Sequence, residues 1–382
     1  MSSTNSARSR RQWLALTLIP GMRPEHWQTV LDQLTDPRDL LSLSTNSLKA
    51  LRLPPAARKA IAEWQACGGT ETFRRWLDAA EESCEQLSIT LLTWLDPHYP
   101  PLLRHIHGPA PVLFVRGRPE VLHEPQIAIV GSRHASRDGC RHAESFARAL
   151  AGHGRVITSG LALGADGAAH RGALAVDGRS IGVLASGVDR IYPASHVRLG
   201  EGLLESGAVV SEVAPGTPPR PEQFPRRNRL ISGLSQGVLV VEASVRSGSL
   251  ITARLALEQG REVFAIPGSI HNPHARGCHQ LIRQGAKLVE SVDDVLEELT
   301  GWSHQITPKV AVPAASASTE IPDHLDPTEQ QLLQLLSYEP SSTDELCQLS
   351  GLPADRLLQS LLLLEMEDLV ESSAAGYRKR AG

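Results

Sequence analysis

Seven short apolar runs rich in β-branched residues recur between residues 126 and 290, and amphipathic stretches separate them. Alternation of this kind is typical of βαβ units, in which a helix joins two parallel strands of one sheet. We therefore predict an α/β domain with an extended Rossmann-like, mainly parallel sheet. The predicted strands are Gln126–Val130, Arg155–Thr158, Ser180–Ala185, Ala208–Glu212, Gly237–Glu242, Glu262–Ile266 and Ala286–Glu290, and the predicted helices include Arg137–His153, Leu250–Gln259 and Val292–Leu299.

The chain before this domain has a helical texture. Apolar side chains recur at roughly helical spacing between residues 12 and 85, and Pro20-Gly21 and Pro54-Pro55 stand in the turns. This pattern predicts a small helical domain of the SAM or helix-hairpin-helix type over residues 1–88, which leaves 89–300 to the α/β domain.

The chain after it changes character twice. Residues 301–324 are rich in Pro, Ala and Ser, which predicts a linker. Helical stretches at 326–337, 342–349 and 353–365 then precede a short hairpin around Gly376. Three helices followed by a hairpin predict a winged-helix-like domain over residues 325–382.

Charge is distributed unevenly along the chain. The formal net charge of −4 speaks against a nucleic-acid partner, yet residues 126–287 carry 18 Arg and one Lys against 12 acidic residues, a net charge of +7. Residues 288–324 and 325–382 each have a net charge of −6. Arginine suits bidentate contacts with phosphate and stacking on bases, so the middle of the chain is predicted to bind an anionic partner. The acidic C-terminal domain is predicted to contact a protein or to regulate, with double-stranded DNA binding as the alternative.

Several classes of protein are excluded or disfavoured. No run of 18 apolar residues is present, which excludes a transmembrane helix. Arg8, Arg10 and Arg11 precede the apolar run 13–19 as in a signal peptide, but Pro20-Gly21 ends that run without a cleavage site, so we expect a domain helix in a cytoplasmic protein. Five scattered cysteines without a C-x-x-C argue against a disulfide framework and a zinc knuckle.

The predicted strands are followed by loops of small residues. These loops contain Gly131-Ser132-Arg133, Ser159-Gly160, Ser186-Gly187, Ser247-Gly248-Ser249 and Pro267-Gly268-Ser269. In an open parallel sheet, ligands lie beyond the carboxyl ends of the strands, where glycine admits an anion and helix N-termini offer free N–H groups. Together the loops predict a phosphate-binding rim. Neither G-x-G-x-x-G nor G-x-x-x-x-G-K-[ST] is present, which argues against a nicotinamide cofactor and P-loop ATP hydrolysis.

A second basic element is the segment Phe224-Pro225-Arg226-Arg227-Asn228-Arg229. Arginine beside an aromatic residue fits single-stranded nucleic acid, with Arg for phosphate and Phe for base stacking. The alternative is a solvated start of a helix, in which Phe224 only staples the turn. Combined with the strand-end loops, the nucleic-acid interpretation is favoured.

No catalytic or metal site is predicted. Asp166 and His170 stand four apart on a predicted helix, but Asp166 has the position of an N-cap or first-turn acid. His271, His274, Cys278 and His279 match no standard zinc spacing. Glu212 and Glu242 end strands near the rim without an identifiable partner acid.

An ordered set of motifs resembles the DprA (Smf) family of DNA-processing proteins. The resemblance is strong over about residues 89–300. The matching segments are 128–133 (AIVGSR), 159–162 (SGLA), 164–170 (GADGAAH), 187–189 (GVD), Tyr192-Pro193, Ser211-Glu212, 224–229 (FPRRNR), 241–243 (VEA), 247–253 (SGSLITA), Gly260-Arg261 and Pro267-Gly268. Two segments depart from the family: Gly277-Cys278-His279-Gln280 stands where many relatives have Gly-(Ser/Thr)-Asn, and Arg220-Pro221 stands where some have Lys.

The resemblance implies a dimeric, non-enzymatic protein without a cofactor that binds and protects single-stranded DNA. It further implies that the protein loads RecA recombinase onto that DNA during natural transformation and recombination. The predicted DNA-binding residues are Gly131, Ser132, Arg133, Ser159, Gly160, Arg220, Phe224, Arg226, Arg227, Asn228, Arg229, Ser247, Gly248, Ser249, Thr252 and Lys287. The alternative is a nucleotide-processing enzyme of the phosphoribohydrolase type, whose P-G-G-x-G-T loop is similar to residues 247–252.

Overall fold

The computed structural model describes residues 2–299, 326–336, 342–350, 352–367, 369–373 and 376–379. The chain divides into two compact units, Met1–Val310 and Ala311–Gly382. The predicted linker at 301–324 lies outside the described residues.

The first unit begins with helices, as the sequence predicts. They are α1 (Ser2–Thr17), α2 (Pro24–Gln33), α3 (Thr45–Ala50), α4 (Pro55–Cys67) and α5 (Glu71–Gln86), with a 3-10 helix at Pro37–Ser42. Proline stands in the first turn of α2 and α4, where its missing N–H costs nothing, and Ser44 and Thr70 cap α3 and α5. Trp13 to Leu16 are buried in α1, so the apolar run after the N-terminal arginines belongs to the core of this unit.

Nine of the described strands form one sheet. They are β1 (Thr90–Thr93), β2 (Val112–Gly117), β3 (Gln126–Val130), β4 (Val156–Ser159), β5 (Ser180–Val183), β6 (Ala208–Ser211), β7 (Gly237–Val240), β8 (Glu262–Ala265) and β9 (Lys287–Leu288). Their spatial order is β1-β2-β6-β5-β4-β3-β7-β8-β9. All seven strands from β3 to β9 pair in parallel, which confirms the extended Rossmann-like prediction.

Strands β1 and β2 are absent from the sequence prediction. Both pairings that involve β2, with β1 and with β6, are antiparallel, so these strands do not belong to a βαβ unit. The run Val112–Val115 is buried at every position, as is usual for a strand covered on both faces. In the sequence this strand is marked only by a short apolar run between Pro111 and Gly117, and periodicity alone cannot tell such a run from a buried helical segment.

Helices cover both faces of the sheet. They are α6 (Arg137–Gly152), α7 (Ala165–Leu174), α8 (Val197–Ser206), α9 (Gln223–Leu234), α10 (Ser249–Glu258), α11 (Arg276–Arg283) and α12 (Val292–Glu298), with 3-10 helices at Pro101–His105, Pro119–His123 and Ala194–His196. Along β3, Ile127 and Ile129 pack with α6, α7 and α12, whereas Ala128 and Val130 pack with α9, α10 and α11. Successive side chains of a strand point to opposite faces, which is why one strand supplies both cores.

The N-terminal helices share a core with one end of the sheet. Leu14 and Ile61 belong to the same buried cluster as Phe114 of β2, Val209 of β6 and Leu203 of α8. Helices and sheet therefore form one compact unit, and a domain boundary at residue 88 stays a prediction.

The second unit has the predicted winged-helix elements. Helices α13 (Pro327–Leu335), α14 (Thr343–Ser350) and α15 (Ala354–Met366) precede the antiparallel strands β10 (Val370–Ser373) and β11 (Gly376–Lys379). Leu332, Leu346, Leu361 and Val370 are buried in its core. The winged-helix prediction is confirmed.

Helices α6 and α7 approach closely at Gly172. A Cβ at this position would lie 2.2 Å from the backbone oxygen of Glu144. We expect Gly172→Ala to lower the free energy of unfolding by about 1–3 kcal/mol, because backbone must move to admit the methyl group. Urea denaturation of the purified protein measures this change.

Gly202 provides the matched control, because it also lies inside a helix. A Cβ there would meet only Leu174 Cδ1, at 3.6 Å. Gly202→Ala is expected to leave stability unchanged or to raise it by up to about 1 kcal/mol through helix propensity. Equal destabilisation by both substitutions would contradict the packing argument.

Candidate functional site

The sheet has its switch point at β3. From β3 the chain adds β4, β5 and β6 on one side and then returns to place β7 on the other side. In open α/β sheets the crevice at the carboxyl ends of the strands beside such a point is the usual place for a ligand. The loop after β3, which contains Ser132 and Arg133, lies there.

The loop after β3 is held in place by its neighbours. The backbone N–H of Ser132 donates to the Glu242 carbonyl at 2.7 Å, and the Ala165 N–H donates to the Ser132 carbonyl at 3.3 Å. Gly164 has φ +73°, and a Cβ there would lie 2.3 Å from the Ser132 carbonyl oxygen. Glycine at 164 therefore lets α7 begin directly against this loop.

Arg133 and Phe224 meet at this rim, as the sequence predicts. Arg133 is exposed, and its guanidinium carbon lies 5.0 Å from the centroid of the Phe224 ring, within cation–π range. The ring of Tyr192 meets Phe224 edge-on at 6.0 Å, and Tyr192 is 48% exposed. We call Arg133, Tyr192 and Phe224 the aromatic rim. Tyr192 enters the sequence analysis only as part of a family motif, and the cis peptide bond to Pro193 follows it.

The segment 224–229 forms the start of α9, and its arginines point in different directions. Arg227 is only 5% exposed, and its Nη1 donates to the carbonyls of Gly160 at 2.7 Å and Val183 at 2.6 Å. Arg227 thus ties α9 to the ends of β4 and β5. Burial lowers the pKa of Arg227 to about 10, while the attraction of Asp166 acts in the opposite direction.

Arg229 also faces inward. It is 5% exposed and forms an ion pair with Glu212 at the end of β6. The structure therefore corrects the expectation that every arginine of this segment contacts phosphate, because the guanidinium groups of Arg227 and Arg229 are committed to internal partners. Arg226 and Asn228 are half-buried at the surface of α9.

The hydroxyl-bearing residues predicted to bind DNA also divide into buried residues and residues nearer the surface. Ser159 is buried and its hydroxyl donates to the Ile129 carbonyl at 2.6 Å, which corrects its assignment to the ligand surface. The Ser247 and Ser249 hydroxyls bond each other at 2.7 Å, and Thr252 is 2% exposed inside α10. Ser247 is half-buried and Gly248 is exposed in the loop after β7, the strand that pairs with β3. Gly160 is buried, and its N–H donates to Asp166 Oδ2 at 3.1 Å.

Lys287 lies away from this group. It stands on β9, which β7 and β8 separate from β3, and its ammonium group pairs with Glu298 at 2.7 Å. Its assignment to the ligand site is therefore corrected. The position of Lys287 along the chain does not indicate its distance from β3, because that distance depends on the order of the strands in the sheet.

The acidic and histidine side chains near the rim are engaged in structural bonds. Asp166 accepts from the N–H groups of Gly160 and Ala162, and burial raises its pKa. The Nδ1 of His170 bonds the Ser180 hydroxyl at 2.7 Å, and burial lowers the pKa of His170 to about 3. These contacts separate Asp166 from His170, so the two do not form a proton-transfer pair.

Glu242 has a structural role as well. Its carboxylate accepts from the Ser136 N–H and hydroxyl, each at 2.7 Å, and Ser136 is the N-cap of α6. Glu242 thereby links the end of β7 to the start of α6.

The histidine- and cysteine-containing loop before and within α11 is also packed. His279 Nε2 lies 2.9 Å from the Gly268 carbonyl, and burial raises the pKa of the Cys278 thiol to about 12. Over the described residues, no group of three or more His, Cys, Asp or Glu side chains is placed to hold a metal ion. No helix in this part of the chain is both long and apolar enough to cross a membrane.

Arg220 and Arg226 line a separate groove beside the rim. Its cavity has a volume of about 260 Å³ and lies between the segment that leads into α9 and the N-terminal helices. Arg220 is exposed and its backbone N–H donates to Gln223 Oε1 at 2.9 Å. No sequence pattern predicts this groove, because it arises where segments distant in the chain meet.

Comparisons with known proteins agree with the predicted family. Residues 90–300 match the family model of the DNA recombination-mediator protein A, and residues 314–376 match that of the DprA winged helix domain. Protein Smf of Escherichia coli K12 is 46% identical over 282 residues, which cover 73% of this chain and 74% of the relative. DNA processing protein DprA of Streptococcus pneumoniae R6 is 43% identical over 241 residues, or 62% of this chain and 85% of the relative.

Solved structures of similar fold include two that are both named DNA processing protein A. The X-ray structure of DNA processing protein A from Streptococcus pneumoniae has a TM-score of 0.63 at 37% identity and covers 74% of this chain and 95% of its own. The structure of DNA processing protein A from Helicobacter pylori, described for its single-stranded DNA binding mode, has a TM-score of 0.51 at 28% identity over 56% of this chain and 98% of its own. The chain therefore belongs to the DprA/Smf family of DNA-processing proteins.

Proposed function

We propose that this protein binds and protects single-stranded DNA at the aromatic rim. The observation that carries the proposal is the exposed Arg133 guanidinium resting on the Phe224 ring at the switch point of the sheet. A phosphate beside Arg133 and a base on Tyr192 or Phe224 use the two kinds of contact that single-strand binding combines. The Helicobacter pylori relative, whose structure is described for single-stranded DNA binding, supports this choice of ligand.

The surroundings of the rim suit a phosphate chain. Helices α6, α7 and α10 begin after the loops that follow β3, β4 and β7, so the positive ends of their dipoles lie at the carboxyl edge of the sheet. The domain that holds the rim has a net charge of +7 over residues 126–287. Base stacking on an aromatic side chain requires an unpaired base, so we propose a preference for single strands over duplexes.

We further propose that the protein is not an enzyme and acts in the cytoplasm as a homodimer that loads RecA onto the bound strand. Membership in a family described as recombination mediators supports this role. The structural bonds of Asp166 and Glu242 disfavour the alternative nucleotide-processing enzyme, because neither carboxylate is held ready for proton transfer. Turnover of nucleoside monophosphates by the purified protein would support that alternative.

Substituting Arg133 tests the binding site. We expect Arg133→Ala to lower affinity for single-stranded oligonucleotides of any sequence by about tenfold at low salt, because one charge-assisted phosphate contact is lost. The slope of log affinity against log salt should also fall in magnitude by about 0.7. Fluorescence anisotropy across a salt series measures both quantities.

Arg148→Ala is the matched control for Arg133→Ala. Arg148 is an exposed arginine of the same domain on α6, where it pairs with Glu144 at 3.3 Å. Removing it changes the net charge equally, and we expect affinity to stay near that of the wild type. Equal losses in the two variants would show that overall charge, not the aromatic rim, holds the DNA.

Substituting Arg229 tests the assignment of structural arginines. Arg229→Ala should lower the free energy of unfolding by about 3 kcal/mol, because it removes the buried partner of the half-buried Glu212 carboxylate. The exposed pair of Arg148 with Glu144, 3.3 Å apart, is the control, and Arg148→Ala should cost at most about 1 kcal/mol. Urea denaturation gives both values. A stable Arg229→Ala protein with weakened DNA binding would return Arg229 to the ligand site.

Removing the acidic C-terminal unit separates DNA binding from loading. Because residues 325–382 carry a net charge of −6, we expect their deletion to leave oligonucleotide affinity unchanged and to reduce RecA filament assembly on the bound strand. Anisotropy and electron microscopy of the filaments are the measurements. Loss of duplex binding in the truncated protein would instead identify a reader of double-stranded DNA.

A further inference from the structure

Besides the buried Arg227, three arginine side chains line the groove beside the rim. They are Arg23, just before α2, and Arg220 and Arg226, before and within α9. None of the three takes part in an ion pair with any other residue that the structure describes. Glu212 is the one carboxylate among the described lining residues, and Arg229 neutralises it. The groove is therefore complementary to an anionic ligand.

An exposed tryptophan stands at the same groove. Trp76 on α5 is 59% exposed, whereas Trp27 on α2, which also lines the groove, is 8% exposed. A tryptophan left this exposed presents a large flat surface for stacking. Trp76 and the arginines Arg23, Arg220 and Arg226 therefore give the groove the same two kinds of group, an aromatic face and guanidinium groups, that the aromatic rim has.

The groove and the rim are neighbours through Arg227 of α9. Arg227 lines the groove, and its guanidinium carbon is 6.0 Å from the centroid of the Phe224 ring. Leu184, the residue after β5, also lines the groove, and it follows the Val183 carbonyl that Arg227 binds. Phe224 of the rim therefore stands next to a side chain of the groove wall.

We propose that the groove carries the next nucleotides of the single strand bound at the aromatic rim, with Trp76 stacking on a base and Arg23 binding a phosphate. The inference rests on the proposed function and extends its site onto the N-terminal helices. A longer strand that occupies both surfaces gains contacts that a short strand on the rim does not make. Affinity should therefore rise with oligonucleotide length up to the span of the two surfaces.

The test compares the full-length protein with the double variant Arg23→Ala, Trp76→Ala. Oligothymidylates of about 4 and about 16 nucleotides serve as ligands, since these lengths are the two ends of the range of site sizes known for OB folds. For the longer ligand we expect affinity to fall about fivefold to a hundredfold, the range for loss of a base stack. For the shorter ligand, which the rim alone accommodates, we expect no change.

Two further variants make the outcome specific. Arg75→Ala removes an exposed arginine next to Trp76 that does not line the groove, and it should bind both ligands as the wild type does. The single variant Trp76→Phe keeps an aromatic face and should bind the longer ligand with most of the affinity of the wild type. Thermal unfolding of each variant checks that the fold is intact, as expected for changes at exposed positions.

The outcomes distinguish this inference from the proposed function. If the wild type binds both ligands and the double variant does so equally well, the groove does not carry the strand although the rim does. If the wild type binds neither ligand, the proposed function itself fails. If the double variant changes the sedimentation of the protein but not its DNA affinity, the groove is a contact between copies of the chain, and the inference is overturned.

Discussion

The buried guanidinium of Arg227 holds together the elements on which the candidate site depends. Its Nη1 donates to the carbonyls of Gly160 and Val183 at the ends of β4 and β5, and these two hydrogen bonds fix the first turn of α9 over the strand ends. That turn carries Phe224, and Phe224 in turn positions Arg133 and Tyr192. A cation that is costly to bury is thus used to orient a surface whose charge and aromatic faces remain accessible.

Burial separates the arginines of α9 by function. The half-buried Arg226 lines the groove without an ion pair to any other residue that the structure describes. The buried guanidinium groups of Arg227 and Arg229 are instead bonded to residues at the ends of sheet strands. The density of positive charge in the sequence predicts an anionic partner, but burial leaves fewer of these arginines at the surface than their number in the segment suggests.

Sequence patterns predicted the parallel part of the sheet and the winged helix because each rests on local periodicity. Strands β1 and β2 were not predicted, because their place in the sheet depends on the antiparallel pairing of β2 with β6, which is distant in sequence. Strand positions predict that Ser132 and Arg133 lie at the carboxyl edge of the sheet, since both follow β3. The contact of Arg133 with Phe224, the burial of Ser159 and the distance of Lys287 from β3 depend on tertiary packing and strand order, which the sequence does not show. Trp76 carried no signal, since a lone tryptophan on an amphipathic helix usually faces the core.

The core shared by the N-terminal helices and the sheet has a consequence for recognition. Leu14 and Ile61 are packed in one cluster with Phe114 and Val209, so moving the helices away from β2 and β6 would expose these side chains to water. The walls beside the rim are therefore preorganised, and a ligand that enters between them need not first order the protein. At the proposed site the cost of adapting therefore falls on the ligand, which favours a chain that bends easily over a stiff one.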